Sequence, residues 1–173
     1  RSITGPGLRY TLEYIKGIIP KLAIHSIKSG EKVFDWKVPD EWFFKRAFIE
    51  DERGNVIVDS NKTNLHIVNY SIPINKLIGF DELNKHLFSL PNYPDAIPYM
   101  TSYYKRDWGF CLSENERRKI KKDKKYRVVV ESKIEPGQLN YGEIILPGKS
   151  KKEIFFSTYI CHPSMANNEL SGP

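Results

Sequence analysis

The sequence predicts an α/β core interrupted by a small antiparallel β module. Three observations predict it. A single amphipathic helix followed by a strand opens the chain. The middle stretch changes texture to short β-type runs between turns. Late in the chain, residues 153–161 form a nearly continuous apolar run, Glu-Ile-Phe-Phe-Ser-Thr-Tyr-Ile-Cys. Such a run is expected of a strand buried on both faces, at the centre of an α/β sheet. That strand needs covering helices and only one strong helix precedes it, so the core is expected to be incomplete, the front part of a larger protein.

The elements follow in order. Leu8, Leu12, Ile15 and Ile19 recur with helical spacing and make one apolar stripe. Thr4 can cap this helix, Pro6 suits its first turn and Pro20 ends it. An alternating strand is expected at 21–28, ended by Ser29-Gly30. Residues 1–34 are therefore the first part of the core. Residues 35–125 are the inserted β-rich module, with β-type runs at 43–49, 56–58 and 65–70. Its one helical stretch before residue 110 is 81–89. A segment rich in proline and aromatic residues follows, from Pro91 to Phe110. Residues 126–173 return to the core, with strands at 126–132, 142–146 and 153–161.

Composition limits the function classes. With 173 residues, 40% of them hydrophobic and 28% charged, the chain can bury a core and is not a disordered tail. No stretch approaches the roughly 20 apolar residues that span a bilayer, so no membrane partner is expected. The first residues lack the apolar block of a secretory signal. Cys111 and Cys161 stand fifty positions apart and make neither a metal-binding pair nor a disulfide framework. A reducing, cytoplasmic compartment is the expectation.

The formal charge of +6 is local. Residues 117–127 hold eight Lys or Arg and one acid, a net +7, which leaves −1 for the rest. Ser113 and Glu116 have the spacing of a capping box, and 114–125 reads as a short helix running into a turn. Residues 117–125 hold no interleaved aromatic or amide side chains for base contact, so a solvated helix end is expected rather than a nucleic-acid site.

Polar residues just past the carboxyl end of a central strand are where α/β folds place their sites. Here that position holds His162, then Ser164, Asn167, Asn168 and Glu169. A neutral imidazole at a strand end suits zinc, and a carboxylate on the following loop suits the same ion. By itself, one histidine reads more readily as structural or surface than as a ligand. His25, His66 and His86 read as structural or exposed. In the aromatic segment, Tyr103, Tyr104 and Trp108 are candidates to line a substrate cleft, because ring faces suit sugars or peptide side chains. The competing expectation is that they pack the module.

Residues 142–172 resemble the zinc aminopeptidase superfamily. The residues that carry this are Gly142-Glu-Ile-Ile-Leu-Pro-Gly148, the run into Cys161-His162-Pro163-Ser164, and Asn167-Asn168-Glu169-Leu170-Ser171-Gly172. More closely, the chain resembles a bacterial aminopeptidase-like family of unknown function associated with polysaccharide biosynthesis. Further matches are Val33-Phe34-Asp35-Trp36, Pro94 to Tyr99, Thr101 to Tyr104, Trp108 to Ser113 and Glu135-Pro136-Gly137. The likeness runs along essentially the whole chain.

The resemblance implies an incomplete zinc-aminopeptidase-like (phosphorylase/hydrolase-like) core with an inserted antiparallel β domain, and a site for one or two zinc ions in the full-length protein. His162 would be the first ligand. Asn168 falls where the superfamily has a bridging aspartate, and Glu169 is the neighbouring carboxylate. Ser164 replaces the aspartate that orients the imidazole. A general base is expected beyond Pro173. The function expected is the N-terminal part of a metal-dependent hydrolase that cleaves an amide bond in a peptide-like substrate, inactive as this piece. The alternative is a binding or scaffold protein that keeps the fold without the chemistry.

Overall fold

A computed structural model describes residues 2–160 of the chain. They form two compact units. One takes the residues up to Trp42 and those from Glu135 onward, and the other is Phe43–Ile134.

The first unit opens with a helix, α1, at Pro6–Ile18. Its N-cap is Gly5, with φ of 95° and no side-chain cap bond. A Cβ there would also come within 2.7 Å of the Trp42 carbonyl oxygen, so backbone conformation and space both require glycine. Thr4, expected as the cap, instead accepts a hydrogen bond from the Trp42 amide through Oγ1, at 3.2 Å. Leu8 and Leu12 are buried, whereas Ile15 is half-buried and Ile19 exposed, so the apolar stripe meets a core only over its first half.

A strand at Ala23–Lys28 (β1) pairs antiparallel with Gln138–Glu143, the last strand among the described residues (β10), from Ala23 opposite Glu143 to Lys28 opposite Gln138. A Cβ on Gly142 would press on Leu22 at 2.9 Å and on Leu12 at 3.3 Å, so the missing side chain lets these leucines close against β10. Between these strands in sequence, Lys32–Val33 (β2) and Trp36–Lys37 (β3) make a small hairpin. Phe34 takes a positive φ of 55° at its tip.

Two core expectations fail here. The strand expected at 142–146 is displaced towards the N-terminus: pairing ends at Glu143, and Ile145 and Leu146 are exposed. The expected central strand at 153–161 is not a strand over its described part, 153–160. Ile154, Phe155 and Phe156 are 84–89% exposed. An apolar run becomes a strand only where at least one neighbouring strand pairs with its backbone. Hydrophobicity alone supplies no ladder.

The second unit is built on a four-stranded sheet. Its strands are Glu41–Asp51 (β4), Val56–Asp59 (β5), Ile74–Gly79 (β6) and Lys125–Glu135 (β9), in the order β5-β4-β9-β6. The segment expected at 126–132 as a returning core strand is thus an interior strand of this unit. Asp51 closes the β4–β5 turn by accepting from the Arg53 and Asn55 amides at 2.8 and 2.9 Å. Ala47, Ile49, Val58, Val128, Val130 and Leu83 are all at most 2% exposed and form much of its core.

Two local expectations also change. Residues 65–70 are not a strand. Thr63 caps a 3-10 turn at Asn64–His66, and beyond it Ile67 and Asn69 make isolated bridges, to Phe110 and Thr101. The helix expected over 81–89 is the short α2, Phe80–Asn84. Beyond it Leu87–Phe88 (β7) pairs in parallel with Phe110–Cys111 (β8), which buries Leu87. The short helix running into a turn expected over 114–125 forms as α3, Glu114–Arg117, followed by turns. In a continuing helix the Lys121 amide would bond back to the Arg117 carbonyl. Here the Tyr126 hydroxyl accepts from that amide and donates to the Lys121 carbonyl, both at 2.9 Å, while Ile120 turns into the core. No helix among the described residues is long and apolar enough to cross a membrane.

Candidate functional site

His162, Ser164, Asn168 and Glu169, the residues on which the metal expectation rests, lie outside the described residues. Among the described residues, no group of three or more His, Cys, Asp or Glu side chains is arranged to hold a metal ion. The site expectations with a geometry to build are therefore Tyr103, Tyr104 and Trp108, all in the second unit.

Their loop is held at both ends. At its start, the Asn69 amide donates to the Met100 carbonyl at 2.9 Å, and the Ser102 amide donates to the Asn69 carbonyl at 2.8 Å. The Ser102 hydroxyl donates to that same carbonyl at 3.1 Å. At its end, the Ile72 amide donates to the Asp107 carbonyl at 3.0 Å. The Asp107 carboxylate accepts from the Trp108 amide at 2.9 Å and pairs with Lys105 at 2.6 Å. The hydrogen bond from Lys105, then that from the amide, hold the Asp107 carboxyl below the usual aspartate range against the upward pull of burial.

The three aromatic residues have different roles. Trp108 lies flat on His86, ring centres 3.8 Å apart at 17°, and meets Phe110 edge-on. His86 Nδ1 donates to the Trp108 carbonyl at 2.9 Å. Trp108 is half-buried, and this ring is already stacked. Tyr103 meets Tyr70 edge-on at 4.8 Å, and its hydroxyl shares a hydrogen bond with that of Tyr99 at 3.0 Å. The Tyr99 hydroxyl also accepts from Asn69 Nδ2 at 2.9 Å. Tyr104 projects next to Tyr103, edge to face at 6.5 Å, and is 88% exposed. Of the three, Tyr104 is the one whose ring is open to a ligand; the other two brace the loop.

Tyr70 has no counterpart in the sequence reading. It is buried, with φ of 66°, a conformation ordinarily left to glycine or asparagine. A tyrosine there carries no pattern that betrays it; only the flanking Asn69 and Ser71 signal a turn.

The histidines outside the expected metal site each have partners. His66 is buried, with Nδ1 donating to the Cys111 carbonyl at 2.8 Å and Nε2 3.8 Å from Glu116. His25 stacks on Tyr141 across β1 and β10. In the basic run, Arg117 donates to Ser89 and Asn84, Arg118 pairs with Glu114, and Arg127 reaches Asn75 and Glu50.

Comparison with known proteins places this geometry in context. Residues 41–133 match the model of a domain of unknown function, DUF2172, nearly the residues of the second unit. A Clostridium acetobutylicum protein, provisionally named a polysaccharide biosynthesis protein with an aminopeptidase-like domain, is 47% identical over 172 residues. The match takes in 99% of this chain and 39% of that protein. A crystal structure of a provisionally assigned peptidase from the same organism superposes with a TM-score of 0.92 at 47% identity, covering 99% of this chain and 40% of that one. The chain thus spans about two fifths of the length of the relatives it matches.

Proposed function

Because this chain belongs to the DUF2172 family, with a near relative named for an aminopeptidase-like domain, we propose that it forms the front part of a metal-dependent aminopeptidase-like hydrolase. The observation that carries this reading is the 47% identity to that relative along 99% of the chain. The superposition on the peptidase structure supports the same reading.

Zinc, when bound, would lower the pKa of a water and polarise the amide carbonyl. The donor chemistry at the end of the chain fits zinc in part. His162 would hold the ion through a ring nitrogen and Glu169 through its carboxylate. Asn168 offers a neutral amide oxygen, which cannot neutralise two dications as a bridging carboxylate does. The Ser164 hydroxyl would fix the imidazole's orientation, more weakly than a carboxylate. These residues would hold an ion and include none assigned to take the proton from water, so the chain by itself is proposed to be inactive.

A scaffold that keeps the fold without the chemistry is the second reading, and the neutral Asn168 favours it. Hydrolysis decides between them. The 172 matched residues of the Clostridium protein are replaced by this chain, and cleavage of aminoacyl p-nitroanilides is followed. Cleavage by the chimera and none by residues 1–173 alone supports the hydrolase reading. A chimera inert where its parent is active supports the scaffold.

A further inference from the structure

α1 is apolar on two opposite faces. Leu8 and Leu12 are buried along one of them. Tyr10, Tyr14 and Ile18 recur at i, i+4 and i+8 along the other, and they are 67, 64 and 66% exposed. Glu13 and Lys16, also exposed, lie to one side of this second stripe. A helix packed on one side carries one apolar stripe and a polar outer face, whereas apolar surface all round belongs to a helix buried on both sides. Two tyrosine rings and an isoleucine present of the order of 400 Å², the size at which an exposed apolar patch marks an interaction site.

Gly17 stands on the same face, three residues after Tyr14. It has no left-handed φ, and a Cβ on it would meet nothing within 4 Å. Glycine weakens a helix, and nothing in the described structure requires it here. A missing side chain beside an apolar stripe leaves room for another segment to approach closely.

The first unit is also the incomplete one. The family model, over residues 41–133, takes in nearly all of the second unit with its four-stranded sheet and none of α1. Among the described residues, the sheet beside α1 has only the strands β1 and β10, and a two-stranded sheet is marginal by itself. This chain spans 39% of the Clostridium relative, so about three fifths of that protein lies outside the match. A second copy fits the stripe less well, because a stable dimer buries about 800 Å² per partner. A segment of the same polypeptide needs no such area, since tethering gives it a high effective concentration.

We propose that Tyr10, Tyr14, Gly17 and Ile18 form an interior surface of the longer protein, covered by an apolar segment of that protein outside residues 1–173. The inference rests on the reading of this chain as the front part of a longer protein, and not on amide cleavage.

The test nitrates residues 1–173 and the chimera with tetranitromethane, beside N-acetyltyrosinamide as a rate reference, and reads each site by mass spectrometry. Tyr10 and Tyr14 should react freely in residues 1–173 and about tenfold more slowly in the chimera, where labelling requires local opening. Gly17→Leu should hold or raise the urea midpoint of residues 1–173, because leucine favours the helix, and should lower that of the chimera. Tyr10→Lys with Tyr14→Lys should leave the midpoint of residues 1–173 unchanged. Equal nitration in the two proteins, or a chimera midpoint that Gly17→Leu leaves unchanged or raises, would overturn the proposal. So would a lower midpoint of residues 1–173 in the lysine variant, which would place the stripe in this chain's own core. Slow nitration of residues 1–173 that sets in with concentration and a dimer mass would assign the face to a second copy and overturn it too. Nitration reads neither metal nor cleavage. Protected tyrosines in an inert chimera of an active parent therefore count against the hydrolase reading alone, and reactive tyrosines in a cleaving chimera against this inference alone.

Discussion

Arg9 of α1 and Glu41 at the start of β4 form an ion pair, Nη2 to Oε1 at 2.6 Å, in which the carboxylate side chain is only 4% exposed. The other carboxylate oxygen accepts from the Gln138 amide at 3.2 Å. Arg9 also reaches Asn140, which in turn donates to Ser26 at 2.7 Å. One arginine therefore links the helix, the strand that leaves the first unit and the strand that completes it.

Removing the arginine leaves a buried carboxylate without its cation. A fully buried pair broken in this way costs about 3–5 kcal/mol. Arg9 is one third exposed, so Arg9→Met should cost less, about 1–3 kcal/mol. Gly137→Ala should act similarly, because a Cβ there would meet the Glu41 side chain, its Cβ at 2.7 Å. Urea unfolding of both variants checks this, and wild-type midpoints would contradict it.

The capping box gives a cleaner local prediction. Ser113 Oγ accepts from the Glu116 amide at 3.2 Å, while the Glu116 carboxylate accepts from the Ser113 amide at 2.9 Å. Ser113→Ala should cost about 1 kcal/mol, read as a lower denaturation midpoint with an unchanged slope.

The pair of Arg46 and Asp59 sets an acid-limb prediction. Arg46 grips both carboxylate oxygens, at 3.2 and 2.7 Å, and this holds the Asp59 carboxyl below its ordinary 3.8. With the folded value below the unfolded one, the stabilisation is complete above the unfolded value. It is lost as pH falls from there through the folded value. Stability measured against pH should fall across that acid window, and Asp59→Asn should flatten the fall. An Asp59 titration by carboxyl NMR at or above 3.8 would contradict it.

Cys111 is fully buried, and burial pushes its thiol up to about 12. The nucleophile is the thiolate, so native Cys111 should resist iodoacetamide near pH 8 and become alkylated in denaturant. Site-resolved mass spectrometry reads this directly, and rapid native labelling would contradict the burial.

What was legible in the sequence was what local chemistry dictates. The Ser113–Glu116 box, the Pro6 start of α1 and the runs at 43–49 and 56–58 each formed where the residues themselves specify the geometry. What failed depended on distant partners. Leu87 and Phe88 left a helical pattern for a parallel pairing with Phe110 and Cys111. The apolar run at 153–160 has strand composition without a ladder. At the candidate site, ring identity was readable from sequence, but not the division of labour by which Trp108 and Tyr103 brace while Tyr104 stands open. The metal-site expectations, from His162 to Glu169, fall outside the described residues.

Metal content tests the central claim most directly. The chimera that carries this chain in place of the matched 172 residues of the Clostridium protein is purified alongside its parent, and zinc is measured by inductively coupled plasma mass spectrometry. The account predicts stoichiometric zinc in both proteins, and its loss from the chimera on His162→Ala with the fold retained by circular dichroism. A folded chimera that purifies without zinc, or that keeps its zinc after His162→Ala, would contradict it.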